Sequence, residues 1–147
     1  MLYSIGYSNR TLPEFLNELG RRNITQLWDV RSRPRSRNWP FNASQIEIWS
    51  EREGILYRQY GSILGGASGI LSSDPSYLEI LERMMDVGAT QNLAIMCTEG
   101  DPALCHRSSE IGQALLVRYG TSLRNILRDG SDEGIEQTLL RIDGRLL

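Results

Sequence analysis

The sequence predicts an α/β fold. It reads as one domain over residues 1–147, a single three-layer sandwich with a mostly parallel sheet of about five strands and helices on both faces. Three observations predict it. Short apolar runs alternate with longer runs of helical periodicity, in the order βαβαβαβαβα. One of those runs, Leu93-Ala94-Ile95-Met96-Cys97, is apolar throughout, as a strand covered on both faces should be. The chain has 147 residues, enough for one core, and no repeat, linker or low-complexity segment divides it.

Leu2 to Gly6 reads as a first buried strand. Thr11-Leu12-Pro13-Glu14 then opens a helix, with Thr11 as cap, Pro13 in the first turn and Glu14 three residues after the cap. Phe15, Leu16 and Leu19 give it an apolar face, and Gly20 lies near its end. Ile24 to Val30 is a second strand, followed by a polar Arg- and Pro-rich loop from Arg31 to Asn42. Asn42 or Ser44 caps a helix to about Glu53, stopped by Gly54. Ile55 to Tyr60 is a third strand. The glycine- and serine-rich stretch Gly61 to Ser73 reads as a loop.

Asp74-Pro75 is a cap and first-turn proline, opening a helix to about Val87 with Tyr77, Leu78, Leu81, Met84 and Met85 at helical spacing. Leu93 to Cys97 is the fourth strand, and Thr98 to Leu104 a loop. Cys105 or His106 opens a helix to about Tyr119, which Gly120 ends. Leu123 to Leu127 is the last strand and Ile135 to Ile142 a terminal helix.

Composition narrows the function classes. There are 18 acidic residues and 16 basic ones, and every base is arginine. A net charge of −2 argues against general duplex binding, which needs a broad basic surface. The charge is uneven: residues 1–60 carry nine arginines and six acids, residues 61–147 seven arginines and twelve acids. Arg31, Arg33, Arg35 and Arg37 stand at alternate positions, a local patch suited to an anion. No apolar run approaches the roughly 18 residues of a membrane span, and the start lacks the charged and apolar regions of a signal peptide. The expected setting is the cytoplasm, with no membrane partner and with Cys97 and Cys105 as reduced thiols. A homo-oligomer is neither predicted nor excluded.

In a parallel sheet, ligands bind at the carboxyl ends of the strands, and the polar clusters fall there. They are Tyr7-Ser8-Asn9-Arg10, Asp29 to Arg37, Leu64-Gly65-Gly66, Cys97-Thr98-Glu99 and Cys105-His106-Arg107. Arg31, Arg35 and Arg107 are forks fit for phosphate or carboxylate oxygens, with Arg10 at the same edge. Tyr7, Ser8 and Asn9 would position the ligand, and Gly65 and Gly66 would let backbone approach it. Asp29 would orient an arginine or a ligand hydroxyl. Glu99 is a candidate general base or hydroxyl anchor. Cys105 sits at a helix N-terminus beside Arg107, which favours thiolate, with His106 as acid–base partner and Cys97 facing it from the neighbouring strand.

The bland readings stand beside these: a buried structural thiol, a solvated basic loop, a flexible glycine loop. Zinc is the weaker reading of the cysteines. Cys97-x-Glu99 and Pro102-x-x-Cys105 echo the zinc deaminases, but their Pro-Cys pair is absent and the two halves lie too close together. No metal and no cofactor is expected.

At these residues the sequence resembles the domain of unknown function 488 family. The resemblance rests on Tyr3-Ser4-Ile5-Gly6-Tyr7-Ser8-Asn9-Arg10, Trp28-Asp29-Val30-Arg31-Ser32-Arg33-Pro34-Arg35-Ser36, Phe41-Asn42, Leu64-Gly65-Gly66, Cys97-Thr98-Glu99 and Cys105-His106-Arg107. It implies a compact α/β fold and names no reaction, although some relatives carry a loose DNA-repair label. Tyr7 stands where family members usually have His, so any acid–base work of that histidine is altered here. Asp29-Val30-Arg31 is also similar to rhodanese-like domains, but the acidic loop after Cys97 suits an anionic persulfide poorly.

Three functions are therefore expected in order. The first is a small enzyme or binding domain for an anionic, nucleotide-like or sugar-phosphate ligand. The second is a nucleic-acid binding or DNA-repair-associated module using the 31–41 loop, where Trp39 and Phe41 follow the arginines. The third is thiol chemistry, as sulfur transfer or redox sensing, at Cys97 and Cys105.

Overall fold

A computed structural model describes residues 1–146, with side chains through residue 144. Its strands are β1 (Leu2–Gly6), β2 (Ile24–Asp29), β3 (Leu56–Gln59), β4 (Asn92–Cys97), β5 (Arg124–Ile126) and β6 (Asp132–Gly134). Its helices are α1 (Leu12–Arg21), α2 (Ala43–Arg52), α3 (Gly61–Leu64), α4 (Pro75–Gly88), α5 (Gln113–Tyr119) and α6 (Ile135–Leu146). Together they make the expected α/β architecture. The sheet runs in the order β3-β2-β4-β1-β5-β6, parallel throughout except for the β5–β6 pair.

Local chemistry starts the helices where the sequence indicated. Thr11 and Glu14 form a reciprocal capping box on α1. Asp74 accepts from the Ser76 amide at the head of α4, with Pro75 in the first turn. β1 and β4 are buried almost end to end and pair in register from Leu2↔Leu93 to Gly6↔Cys97.

Two apolar layers cover the sheet. On one face Tyr3, Ile5, Leu27, Ala94 and Met96 pack with Phe15 and Leu19 of α1 and Ile46 and Trp49 of α2. On the other, Trp28, Leu93 and Ile95 pack with Ile80, Leu81 and Met84 of α4, Leu115 of α5 and Ile135 of α6. The connection leaving β1 therefore crosses one face and the connection leaving β4 crosses the other. These adjacent strands form the switch point of the sheet, and their C-terminal ends open the crevice where such folds bind ligands.

The structure differs from the sequence expectation at several places, among them a 3-10 turn at Trp39–Phe41 in the arginine loop and an Asn42 side chain that accepts from the Ser36 amide rather than capping α2. Gly61–Leu64, expected as loop, closes one helical turn because Leu64 is fully buried and its amide reaches the Tyr60 carbonyl. A sixth strand, β6, is too polar to show an apolar pattern. It pairs with β5 through a tight turn in which Gly130 takes a left-handed conformation (φ +87°). The expected helix from Cys105 begins as a wider π-helical stretch over Arg107–Gly112 and only then becomes α5. The loop before it holds a 3-10 turn at Pro102–Leu104. Among the described residues no helix is long and apolar enough to cross a membrane.

Candidate functional site

Cys97 ends β4, and the π-helical stretch carries Cys105 and His106 back to it. The His106 Nδ1 lies 3.6 Å from Cys105 Sγ and 4.0 Å from Cys97 Sγ. Its Nε2 lies 3.1 Å from the carbonyl oxygen of Val30, just past β2. A carbonyl only accepts, so Nε2 carries a proton and Nδ1 is the atom turned to the sulfurs. Gly66 closes over the ring: a Cβ there would stand 3.4 Å from His106 Cγ. Both cysteines are free and buried, while His106 is half-buried.

The two thiols are unequal. A hydrogen bond from Cys97 draws the Cys105 pKa far down; burial opposes this, and His106 and the Arg107 charge add to it. The same bond and burial push Cys97 far up. Burial works against a charged His106, but Cys105 and the Val30 carbonyl outweigh it and raise its pKa. These shifts favour the thiolate on Cys105, the thiol on Cys97 and the protonated ring on His106.

Arg107 sits behind the pair, with none of its surface exposed. It donates to Ser4 Oγ at 3.0 Å, to the Glu99 carbonyl at 2.5 Å and to the Gly100 carbonyl at 3.4 Å. Among the described residues no carboxylate pairs with it. A buried cation held only by neutral oxygens favours an anion close by, and the Cys105 thiolate is one.

The predicted anion-binding arginines are turned inward instead. Arg31 grips Asp29 with two bonds, Nε to Oδ1 at 2.9 Å and Nη2 to Oδ2 at 2.6 Å, and donates from Nη1 to the Phe41 carbonyl at 2.7 Å. Asp29 also accepts from the Arg31 amide and from Tyr57 Oη. Asp29 is fully buried, with no carboxylate face left for a substrate. Arg10 donates to the carbonyls of Gly6 and Leu127. Asp29 and these arginines are braces at the sheet edge, because buried guanidinium donors must be satisfied within the protein. Of the four forks, only Arg35 is exposed.

Tyr7 is a wall of the same edge. Its ring stacks on Phe41 at 4.5 Å, and its hydroxyl receives bonds from Thr98 Oγ1 and Arg31 Nη1. Gly65 packs against Ser32 and Gly61 within the loop, so its missing side chain serves the fold. Ser8, Asn9 and Glu99 line a separate cavity of about 480 Å³ at the ends of β1 and β5, together with Arg128 and Arg141. Glu99 accepts from the Asp101 amide there. Sequence reasoning missed Arg128, Arg141 and Glu133 of this cavity, since they lie on the β5–β6 hairpin and α6, whose approach no local pattern announces.

Residues 11–71 match the family model described as "Domain of unknown function DUF488". That segment of the chain is similar to DUF488. That segment includes the Asp29–Arg31 brace, the arginine loop and Gly65-Gly66, and it ends before the cysteines. No curated protein and no solved structure matches the chain. The thiol cluster thus joins both parts: the DUF488 segment supplies the Val30 carbonyl and Gly66, the rest supplies Cys97, Cys105 and His106. The two sulfurs and Nδ1 all lie within 4.8 Å of one another, which also suits three ligands of a soft cation, although the Arg107 charge bears on both sulfurs and opposes a cation.

Proposed function

We propose that this chain performs dithiol–disulfide exchange, with Cys105 as nucleophile, Cys97 as second thiol and His106 as proton carrier. The carrying observation is the contact of one imidazole nitrogen with both sulfurs while the other is fixed on Val30. The Cys105 thiolate attacks a disulfide, forming a mixed disulfide. The departing thiolate takes the proton from His106. Cys97 then passes its proton to the neutral imidazole and attacks Cys105 Sγ, expelling the second half as a thiolate that His106 reprotonates. The substrate disulfide is reduced to two thiols and the two cysteines become a disulfide, which a second thiol compound must reduce again. Burial of both sulfurs favours a small disulfide over a protein one. A cytosolic setting, where thiols are kept reduced, fits this chemistry.

The test is alkylation at pH 6 with a chelator present, read residue by residue by mass spectrometry. Cys105 should react fast and Cys97 slowly, and a small disulfide should remove two hydrogens from the intact protein. Uniformly slow alkylation below pH 7 would overturn the proposal.

A second reading rests on the cavity beside Glu99. It suits a small hydroxyl-bearing ligand, with Ser8, Asn9 and Glu99 as polar contacts and Arg128 as its cation in place of Arg31 and Arg107, since Arg141 is held by Glu133 and Asp101. Thermal shift with nucleotides and sugar phosphates tests it. A stabilising ligand whose effect survives Glu99→Gln and Arg128→Gln would remove this reading.

A further inference from the structure

The thiol site leaves one prominent feature of the DUF488 segment unused. Between β2 and α2 the chain alternates. Residues 32, 34 and 36 are half-buried, while Arg33, Arg35 and Arg37 are exposed, as is Trp39. The inward positions are tethers. Ser32 Oγ accepts from the Ala67 amide, the Pro34 carbonyl accepts from the Ala43 amide, and the Ser36 amide donates to Asn42 Oδ1. The far end is pinned as well: Arg31 holds the Phe41 carbonyl, Trp49 Nε1 holds the Pro40 carbonyl, and Phe41 stacks on Tyr7. A loop fastened at every second residue has a fixed backbone, so less backbone freedom is lost when its outward arginines meet a partner.

Among the described residues those guanidinium groups have no side-chain hydrogen bond or ion pair. Among the described residues no carboxylate pairs with Arg33, Arg35 or Arg37. The loop ends in Trp39, 65% exposed, which borders a shallow notch of about 260 Å³ with Pro40, Ile48, Trp49 and Arg52. Gln45, Ile48 and Arg52 follow one stripe of α2, whereas Glu47 and Glu51 follow another. Ile48 is itself 52% exposed. An indole and an isoleucine are thus left open to water beside Arg52, at the end of a loop that carries three further exposed arginines.

We propose that this surface binds single-stranded nucleic acid, with a base stacked on Trp39 at the notch and the backbone phosphates on Arg33, Arg35, Arg37 and Arg52. Charge and shape select this occupant. A row of arginines tracks a phosphate backbone, and an exposed ring offers a stacking platform that any unpaired base can use. A duplex hides its base faces and needs a broader basic surface than one loop on a chain of net charge −2. An acidic peptide would use the arginines and leave the indole bare. The surface lies apart from the thiol cluster, so it neither requires nor excludes the proposed exchange.

The experiment is fluorescence anisotropy of a labelled oligothymidylate strand on the full chain, over a salt series. Binding should weaken with salt at a log–log slope of about −2 to −3, the value for three or four phosphates on a single strand. The variant R33Q/R35Q/R37Q should flatten the slope towards about −0.7. Trp39→Ala should weaken binding by about tenfold or more with the slope kept, because stacking is not ionic. All four positions are exposed, and unchanged melting temperatures certify the fold. The proposal is overturned if the strand does not bind at low salt, if duplex of equal length binds as well, or if either variant binds like the parent. Binding to anionic vesicles or polyglutamate in preference to the strand would also overturn it.

Discussion

His106 Nε2 lies 3.1 Å from the carbonyl oxygen of Val30, which turns the opposite nitrogen of the ring to Cys105 Sγ at 3.6 Å. A backbone carbonyl at the end of one strand thereby sets the protonation pattern of a side chain that belongs to a helix after another. Removing the ring in His106→Ala takes away the second of the favourable influences on the Cys105 thiolate, after the bond from Cys97. The midpoint of the Cys105 alkylation profile should move to higher pH by about one unit or more. The pH–rate profile of labelling measures it. A profile unmoved in His106→Ala would assign the thiolate to Cys97 and Arg107 alone.

The same ion pair makes stability depend on pH with a definite sign. Cys105 is lowered on folding, so between its folded pKa and about 8.5 the unfolded chain binds the extra proton and stability rises with pH. His106 is raised, so its contribution is complete below about 6.5 and fades as pH climbs through its folded pKa. Below about pH 6.5 only the cysteine slope acts, and above it the two oppose each other. Unfolding free energy should therefore climb by at most about 1.4 kcal/mol per pH unit between pH 5 and 6.5, then level off. Cys97 is raised on folding, so stability should decline again above about pH 8.5. Denaturant titrations of the parent and of Cys105→Ser test this, and equal slopes between pH 5 and 6.5 would contradict it.

Asp29→Asn should be costly for a reason unrelated to catalysis. The carboxylate accepts from the Arg31 side chain twice, from the Arg31 amide and from Tyr57 Oη, all in a buried site. Breaking such a pair leaves the guanidinium uncompensated and costs about 3–5 kcal/mol. Arg31→Lys should also destabilise, because an ammonium cannot make the two-pronged contact. Arg35→Lys, on the exposed loop, should leave stability unchanged. Urea midpoints distinguish the three variants, and a stable Asp29→Asn protein would remove the bracing role.

How much of this was legible before the structure depends on range. Thr11, Glu14, Asp74 and Pro75 act on neighbours within three residues, so the starts of α1 and α4 stood in the sequence. The first five strands were visible in runs such as Leu93–Cys97. The convergence of Cys97, Cys105 and His106 at one sheet edge followed from the parallel order. What stayed hidden was set at a distance. Nothing local tells whether Arg31 faces solvent or turns back on Asp29, and the alternating arginines read alike in both cases. β6 is only Asp132-Glu133-Gly134 and exists because the turn at Gly130 returns it to β5. Arg128 and Arg141 reach their cavity only through that hairpin and α6.

Gly6 tests the link between fold and thiol site most directly. A Cβ there would stand 1.8 Å from the Glu99 carbonyl oxygen, which is backbone and cannot swing aside. That oxygen is the acceptor of the 2.5 Å bond from Arg107. Gly6→Ala must therefore shift the β4 loop and disturb the buried cation beside Cys105. It should destabilise at the upper end of the roughly 1–3 kcal/mol that overpacking costs, and it should slow Cys105 alkylation as well. Gly66→Ala presses only on the His106 ring at 3.4 Å, so labelling should change more than the melting temperature. Gly20→Ala, with nothing within 4 Å and helical geometry, should raise stability by about 0.5–1 kcal/mol and leave labelling alone. The three variants together separate backbone collision, ring contact and helix propensity. If Gly6→Ala melts and labels like the parent, the Glu99 carbonyl is not the fixed support that holds Arg107 against the thiols.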